Sequence, residues 1–155
     1  NILGRWFDCE AINLGFSGNA RMDKSILEAI LRVDAQKYVI NCLPNCTQEI
    51  IRDSAYHFMS TLAKERPEVT IYMVENVEFT DRHINQRTAK DLVEKNRMWS
   101  DLYKQLRKEG YKNLRYIPSE GYVGTDDEHS VDGAHFTDLG FMRMAETFKK
   151  YLKKR

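Results

Sequence analysis

Two hydrophobic periods alternate along the chain, and this alternation constrains the fold more than any other feature. Short apolar runs suited to strands lie at residues 11–14, 37–43, 69–74 and 114–117, and stretches with apolar residues at helical spacing separate and follow them. Strands that alternate with helices favour a parallel sheet with helices on both faces. We therefore predict an α/β fold, a three-layer α/β/α sandwich with at least four mostly parallel strands, in one domain over residues 1–155.

Capping and breaking residues mark the expected helix ends. Thr47 is suited to cap a helix that ends before Pro67, and a long helix from Thr88 is expected to end before Gly110. Thr137 is suited to cap the last helix.

Glycine and polar residues follow every predicted strand. Residues 15–19 come after the first strand, Asn45 after the second and residues 75–76 after the third, while Asp132 and His135 lie in the long loop after the fourth. In sheets of this kind, ligands bind beyond the carboxyl ends of the strands. The sequence therefore predicts a site at that end of the sheet.

An acidic residue stands three positions before a histidine in the segment Asp132-Gly133-Ala134-His135. The carboxylate can accept a hydrogen bond from one ring nitrogen of the histidine, and the other nitrogen can then take a proton from a nucleophile. Gly133 can adopt backbone angles that other residues resist, so one turn can present both side chains. We predict that Asp132 and His135 are catalytic; the alternative is a polar loop ahead of a helix.

The segments 13–19 and 42–45, with Asp132 and His135, resemble the later sequence blocks of the SGNH hydrolases, also called GDSL esterases and lipases. The blocks occur in the family's order and the resemblance covers nearly the whole chain. It implies the flavodoxin-like SGNH hydrolase fold, with Asp132 and His135 as two members of a Ser-His-Asp triad.

The same resemblance implies that Gly18 and Asn45 form an oxyanion hole. Gly18 would offer its backbone N–H and Asn45 its side-chain amide. From the residues alone, a tight-turn glycine and a helix N-cap are the alternatives for these two positions. Ser17 is an alternative nucleophile, because its surroundings are similar to the G-x-S-x-G elbow of another esterase fold except that Asn19 replaces the last glycine.

The chain departs from the family pattern at two places. Phe136 stands where the family usually has proline, and the first block, which carries the nucleophilic serine after the first strand, is missing. An absent inner strand would leave buried backbone groups unpaired, at about 1–3 kcal/mol each. We therefore expect the 155 residues to be an N-terminally incomplete domain of a longer polypeptide. A rearranged sheet and an edge completed by another chain are the alternatives.

The resemblance implies hydrolysis of a carboxylic ester by a serine mechanism, with the serine upstream of residue 1. Small acyl esters, such as acetyl groups on carbohydrates, are the expected substrates, and no cofactor or metal is needed. A non-catalytic ligand-binding module on the same fold is the alternative. A nucleotide or phosphate binder is disfavoured, because residues 15–19 match neither the G-x-G-x-x-G pattern nor the P-loop.

Charge and composition argue against other partners. The net charge of +1, with acids and bases interspersed, predicts neither a nucleic-acid nor a membrane partner.

The acidic run 126–129 is expected to be a solvated loop rather than a metal site, because consecutive acids cannot all face one ion. Cys9, Cys42 and Cys46 lack a metal-binding spacing and are expected to be free thiols. We favour an extracytoplasmic compartment; the oligomeric state stays open.

Overall fold

The computed structural model describes residues 1–152. It contains five helices and three strands: α1 (Ile2–Phe7), α2 (Lys24–Ile30), β1 (Lys37–Ile40), α3 (Gln48–Glu65), β2 (Thr70–Val74), α4 (Gln86–Lys108), β3 (Leu114–Ile117) and α5 (Asp138–Tyr151). Two short 3₁₀ turns lie at Phe16–Gly18 and Leu43–Asn45. None of the helices in this part of the chain combines the length and the apolar character needed to span a bilayer.

The described chain divides into two compact units. The sheet unit comprises residues 15–76 and 90–117, and the loop unit comprises residues 1–14, 77–89 and 118 onward. The prediction of one domain over residues 1–155 stays a prediction, and its last three residues lie outside the described part.

The sheet unit contains a three-stranded parallel sheet in the order β1-β2-β3. Tyr38 of β1 is in register with Ile71 of β2, which is in register with Leu114 of β3. The α/β class with a parallel sheet is therefore confirmed. Helices α2, α3 and α4 contribute to one hydrophobic core with the sheet. The predicted apolar face of α3 is buried in this core: Ile51, Ala55, Phe58, Met59 and Leu62.

The predicted strand at residues 11–14 is wrong, so the described chain has three strands rather than four or more. All four residues of this segment are exposed, including Ile12 at 57% and Leu14 at 37%. A short apolar run favours a strand only where pairing and burial stabilise it, and this one is not buried. Strand β1 consequently forms one edge of the described sheet.

Threonine caps begin two of the helices as predicted. The Thr47 hydroxyl accepts from the Ile50 N–H at 3.3 Å, and the Thr137 hydroxyl accepts from the Gly140 N–H at 3.0 Å. Helix α4 begins two residues before the predicted Thr88. The reason is that the Asn85 side chain accepts from the Thr88 N–H at 3.2 Å and so supplies the cap.

In the loop unit, α1 packs against α5. The Lys149 ammonium lies 5.1 Å from the centre of the Trp6 ring, a cation–π contact between the two helices. Tyr122 and Phe148 meet edge to face at 5.2 Å between ring centres. Aromatic contacts of this kind therefore contribute to the packing of α5 within its unit.

Asn113 joins three segments at the amino end of the sheet. Its side-chain amide donates to the carbonyls of Ala63, Arg66 and Val69, at 3.1, 2.9 and 3.3 Å. These carbonyls belong to the end of α3 and the approach to β2, whereas Asn113 directly precedes β3. One side chain thus satisfies backbone acceptors where the helix ends and the strands begin.

We expect Asn113→Ala to lower the free energy of unfolding by about 1–3 kcal/mol, because the three carbonyls lose a shared donor in a partly buried position. Urea unfolding followed by circular dichroism measures the change. Lys112→Ala, at the exposed neighbouring position, is the matched control and should stay within about 0.5 kcal/mol of the parent. Equal unfolding midpoints for the two variants would contradict the role given to Asn113.

Candidate functional site

Residues 129–137 of the loop unit form a closed loop. Ser130 and Phe136 pair in an antiparallel bridge, and the Val131 N–H donates to the His135 carbonyl at 2.9 Å. The tip of the loop is therefore shaped by hydrogen bonds between residues close together in sequence.

The Asp132 carboxylate and the His135 imidazole are hydrogen-bonded at this tip. His135 Nδ1 lies 2.7 Å from Asp132 Oδ2. The other carboxylate oxygen, Oδ1, accepts from the backbone N–H groups of His135 at 2.8 Å and Ala134 at 3.1 Å. The structure thus brings the two predicted residues together, while their catalytic role stays a prediction.

The hydrogen bonds at the tip lower the pKa of Asp132 to about 2; the His135 N–H has the largest effect, followed by the His135 ring and the Ala134 N–H. Asp132 is therefore a carboxylate at neutral pH and can only accept hydrogen bonds. A neutral His135 ring must then carry its proton on Nδ1, which leaves the lone pair of a general base on Nε2. The His135 side chain is 82% exposed, so a reactant can reach this nitrogen.

Gly133 allows the tip to pack against the segment 78–82. Its φ is 99°, and its carbonyl accepts from the Thr80 N–H at 3.1 Å. A β-carbon at this position would lie 3.4 Å from Cγ of Asp81. The backbone angle favours glycine, as predicted for this turn, whereas the contact with Asp81 would be an ordinary one.

Gly18 lies in the sheet unit at the end of the turn Phe16–Gly18. Its φ is 87°, and its carbonyl accepts from Nε of Arg21 at 3.3 Å. Phe16 and Ser17 also have positive φ, at 48° and 45°. The turn is exposed, and a β-carbon at Gly18 would have no neighbour within 4 Å. The need for glycine here is therefore conformational, and the turn leaves room for an approaching ligand.

Asn45 ends the 3₁₀ turn that follows β1. Its backbone N–H donates to the Cys42 carbonyl at 3.0 Å, and its side chain is half-buried. The alternative that Asn45 caps helix α3 is wrong, because Thr47 does so. The Asn45 side chain is therefore not committed to a helix cap.

Cys46 connects the Asn45 turn to the segment after Gly18. Its Sγ lies 3.3 Å from the Cys42 carbonyl oxygen and 3.9 Å from that of Ala20. Cys9, Cys42 and Cys46 are free thiols, as predicted. The turns that carry Gly18 and Asn45 are thus neighbours within the sheet unit, a contact that the sequence did not reveal.

Polar residues follow β2 as predicted, and both form hydrogen bonds within the sheet unit, Glu75 through its side chain and Asn76 through its backbone. Glu75 Oε1 accepts from the Tyr116 hydroxyl at 2.7 Å; burial and this carboxylate raise the Tyr116 pKa. The Asn76 backbone N–H donates to Oδ1 of Asn96 at 3.0 Å, and Nδ2 of Asn96 donates to the Asn76 carbonyl at 2.8 Å. Sequence reasoning missed this contact, because twenty positions separate the two residues.

The expectation of a solvated loop at residues 126–129 holds for the exposed Asp126 and Glu128, but two of the acids are ion-paired and the histidine is buried. Asp126 forms a two-point ion pair with Arg143, at 2.6 and 2.7 Å, and Asp127 pairs with Arg82 at 2.6 Å. Each guanidinium lowers the pKa of its partner carboxyl. His129 is buried. Within residues 1–152, no group of three or more acidic, histidine or cysteine side chains is arranged to hold a metal ion.

The four predicted site residues form two pairs, one in each unit. Asp132 and His135 share a hydrogen bond in the loop unit, whereas Gly18 and Asn45 lie on neighbouring turns in the sheet unit. That all four meet at the carboxyl end of the sheet stays a prediction.

Similarity to a known family extends over nearly the whole chain. The sequence profile described as the GDSL-like Lipase/Acylhydrolase family matches residues 1–153. Among curated proteins, none matches the chain significantly.

Solved structures that are similar to the chain include the following three. A protein from Bacteroides ovatus described as a GDSL-like lipase is 32% identical with a TM-score of 0.92, over 97% of this chain and 45% of its own. The salicylyl-acyltransferase SsfX3 of a tetracycline biosynthetic pathway is 11% identical with a TM-score of 0.75, over 96% of this chain and 46% of its own. A Streptococcus pneumonia protein described as a platelet activating factor is 13% identical with a TM-score of 0.59, over 82% of this chain and 68% of its own. The chain thus spans less than half the length of the first two.

The hydrogen bonds to Asp132 predict how the loop responds to acid. An unperturbed aspartate titrates near pH 3.9, and the folded pKa is about 2. Because the folded pKa is the lower one, the stabilisation is fully present above about pH 4 and is lost as the pH falls through about 2. We expect the amide resonances of Ala134 and His135 to shift with a midpoint near the folded value, and Asp132→Asn to abolish that titration. A midpoint near pH 4 in the parent protein would contradict the hydrogen-bond geometry.

Proposed function

The chain belongs to the GDSL-like lipase/acylhydrolase family, and we propose that the complete polypeptide hydrolyses carboxylic esters by a Ser-His-Asp mechanism. The observation that carries the proposal is the 2.7 Å hydrogen bond between Asp132 and an exposed His135 ring. An acid that fixes the tautomer of an accessible imidazole is what a hydroxyl nucleophile needs for activation. In this proposal the nucleophile is a serine upstream of residue 1, and Ser17 is the alternative.

The proposed reaction uses His135 first as a base and then as an acid. Nε2 takes the serine proton while the serine oxygen attacks the ester carbonyl, and Asp132 stabilises the imidazolium that forms. The imidazolium then gives its proton to the leaving alcohol, which departs with the electrons of the broken C–O bond. Water attacks the acyl-enzyme by the same sequence and releases the carboxylic acid.

Gly18 and Asn45 are the proposed oxyanion donors. The Gly18 backbone N–H lies in an open turn, and the Asn45 amide is not committed to capping α3. Donors aimed at the developing negative charge stabilise the tetrahedral intermediate more than the ground state, so they raise kcat. The proximity of the two turns through Cys46 supports a shared role.

Small acyl esters are the proposed substrates, with acetyl groups on carbohydrates as the preferred class. The mechanism requires no cofactor or metal, and neither nucleic acid nor a membrane is a proposed partner. An extracytoplasmic compartment is proposed.

Replacement of the base tests the function. In the complete polypeptide, His135→Ala should reduce turnover of p-nitrophenyl acetate by about 10²–10⁴-fold, because the nucleophile loses its proton acceptor. Spectrophotometric release of p-nitrophenol measures the change, and His57→Ala on the exposed face of α3 is the control. Turnover unchanged by His135→Ala would exclude this histidine from the mechanism.

The parent protein also tests the two alternatives. If it neither turns over esters nor reacts with a fluorophosphonate, the binding module is favoured. If it is labelled and the label maps to Ser17, the nucleophile is Ser17 rather than an upstream serine.

Replacement of one donor tests the oxyanion hole. We expect Asn45→Ala to lower kcat by about 10²–10³-fold with little change in KM, because the amide acts mainly in the transition state. Asn41→Ala, at an exposed asparagine just after β1, is the matched control and should retain parent kinetics. A rise in KM with unchanged kcat would instead make Asn45 a ground-state binding residue.

A further inference from the structure

His129 is a buried residue at the base of an otherwise accessible loop. Its side chain is 4% exposed, whereas Asp132 and His135 at the tip are exposed. Its carbonyl accepts from the Thr137 N–H at 2.9 Å, which closes the loop, and the Thr137 hydroxyl donates to the preceding carbonyl of Glu128 at 3.0 Å. The two ends of the loop therefore meet at His129, beside the start of α5.

Helix α5 packs tightly on this base. A β-carbon at Gly140 would lie 2.3 Å from the His129 carbonyl oxygen, which is closer than any real contact. Glycine at position 140 therefore permits an approach that no other residue would allow. The backbone of His129 is held between the loop and the first turn of the helix.

The His129 ring extends this contact to the segment 78–82. Nε2 lies 3.3 Å from the Glu78 carbonyl oxygen. A carbonyl only accepts, so Nε2 must carry a hydrogen and donate it. The ring also meets Phe136 edge to face, at 6.0 Å between ring centres. One side of the imidazole is thus used for a directed hydrogen bond and another for packing inside the loop.

Two further contacts connect the same segment to the loop. The Thr80 N–H donates to the Gly133 carbonyl between the two predicted catalytic residues, and Arg82 forms an ion pair with Asp127 ahead of the base. The segment therefore touches the loop before its base, at its base and at its tip. Of the three contacts, only that of His129 joins the segment to the point where the loop is closed.

We propose that His129 is a positioning residue for the Asp132–His135 pair. Its Nε2–H holds the base of the loop on the Glu78 carbonyl, and this sets where the Thr80 N–H meets Gly133. Because the His135 ring is exposed and has little packing of its own, its orientation depends on the backbone of the loop. The catalytic meaning of this role rests on the proposed function, but the effect on the hydrogen bond between Asp132 and His135 does not.

Two amide substitutions of different reach test the role. Glutamine at position 129 can place a donor near the position of Nε2, whereas asparagine, shorter by one methylene, cannot reach the Glu78 carbonyl. His129→Gln and His129→Asn therefore differ in that hydrogen bond while both keep a polar side chain at the site. His83→Asn, at an exposed histidine, is the matched control.

Turnover of p-nitrophenyl acetate by the complete polypeptide is the first measurement. We expect His129→Asn to lower kcat by about 10–100-fold with KM nearly unchanged, because a small misplacement of a catalytic group strongly lowers the rate of the chemical step. His129→Gln should restore kcat to within about threefold of the parent, a rescue by the longer amide that loss of packing would not give. Equal impairment of the two variants, or full activity of the asparagine variant, would overturn the proposal.

Nuclear magnetic resonance of the same variants separates this inference from the proposed function. In His129→Asn we expect faster hydrogen exchange of the His135 N–H, which donates to Asp132, and ¹⁵N ring shifts of His135 that move toward a mixture of tautomers. In His129→Gln both signals should match the parent. This pattern would support the positioning role even if the parent protein turned over no ester. If the asparagine variant fails to fold, parent-like His135 signals in His129→Leu, which has no donor, would overturn the proposal, and altered signals there would support it.

Discussion

The pairing of β2 with a parallel neighbour on each side is the constraint on which the sheet unit depends. Ile71, Met73 and Val74 of this strand are fully buried, so its backbone groups have to be satisfied by β1 and β3. Parallel neighbours require crossover connections, and α3 and α4 provide them. The turns after β1 and β2 consequently leave the sheet at the carboxyl end of the strands. The turn that carries Asn45 is one of them.

Periodic features of the sequence were sufficient for most of the fold. Helix α3 could be predicted almost to its ends, because its apolar face, the Thr47 cap and Pro67 are all local signals. The parallel sheet followed from the alternation of elements. The segment 11–14 shows the limit of such signals: a short apolar run has the same appearance in a strand and in an exposed connection, and only burial separates them.

The candidate site was predictable to the extent that it is local. Asp132 and His135 are three positions apart, and a glycine-containing turn is enough to bring them together. The run 126–129 could not be interpreted in this way, because its partners Arg82 and Arg143 are distant in sequence. The local sequence around a carboxylate is the same whether the carboxylate pairs with a guanidinium distant in sequence or is surrounded by water. The buried state of His129 was missed for the same reason.

The short span of the Asp132–His135 hydrogen bond has a consequence for the order in which the loop can form. Closing a loop of three or four residues removes little chain entropy, so this pair can form while the rest of the chain is still disordered. The contact between His129 and Glu78 spans 51 positions and has to await the collapse of distant segments. The hydrogen bond between Asp132 and His135 can therefore form first, by local motion of the chain. The later long-range contacts then determine where the two side chains point.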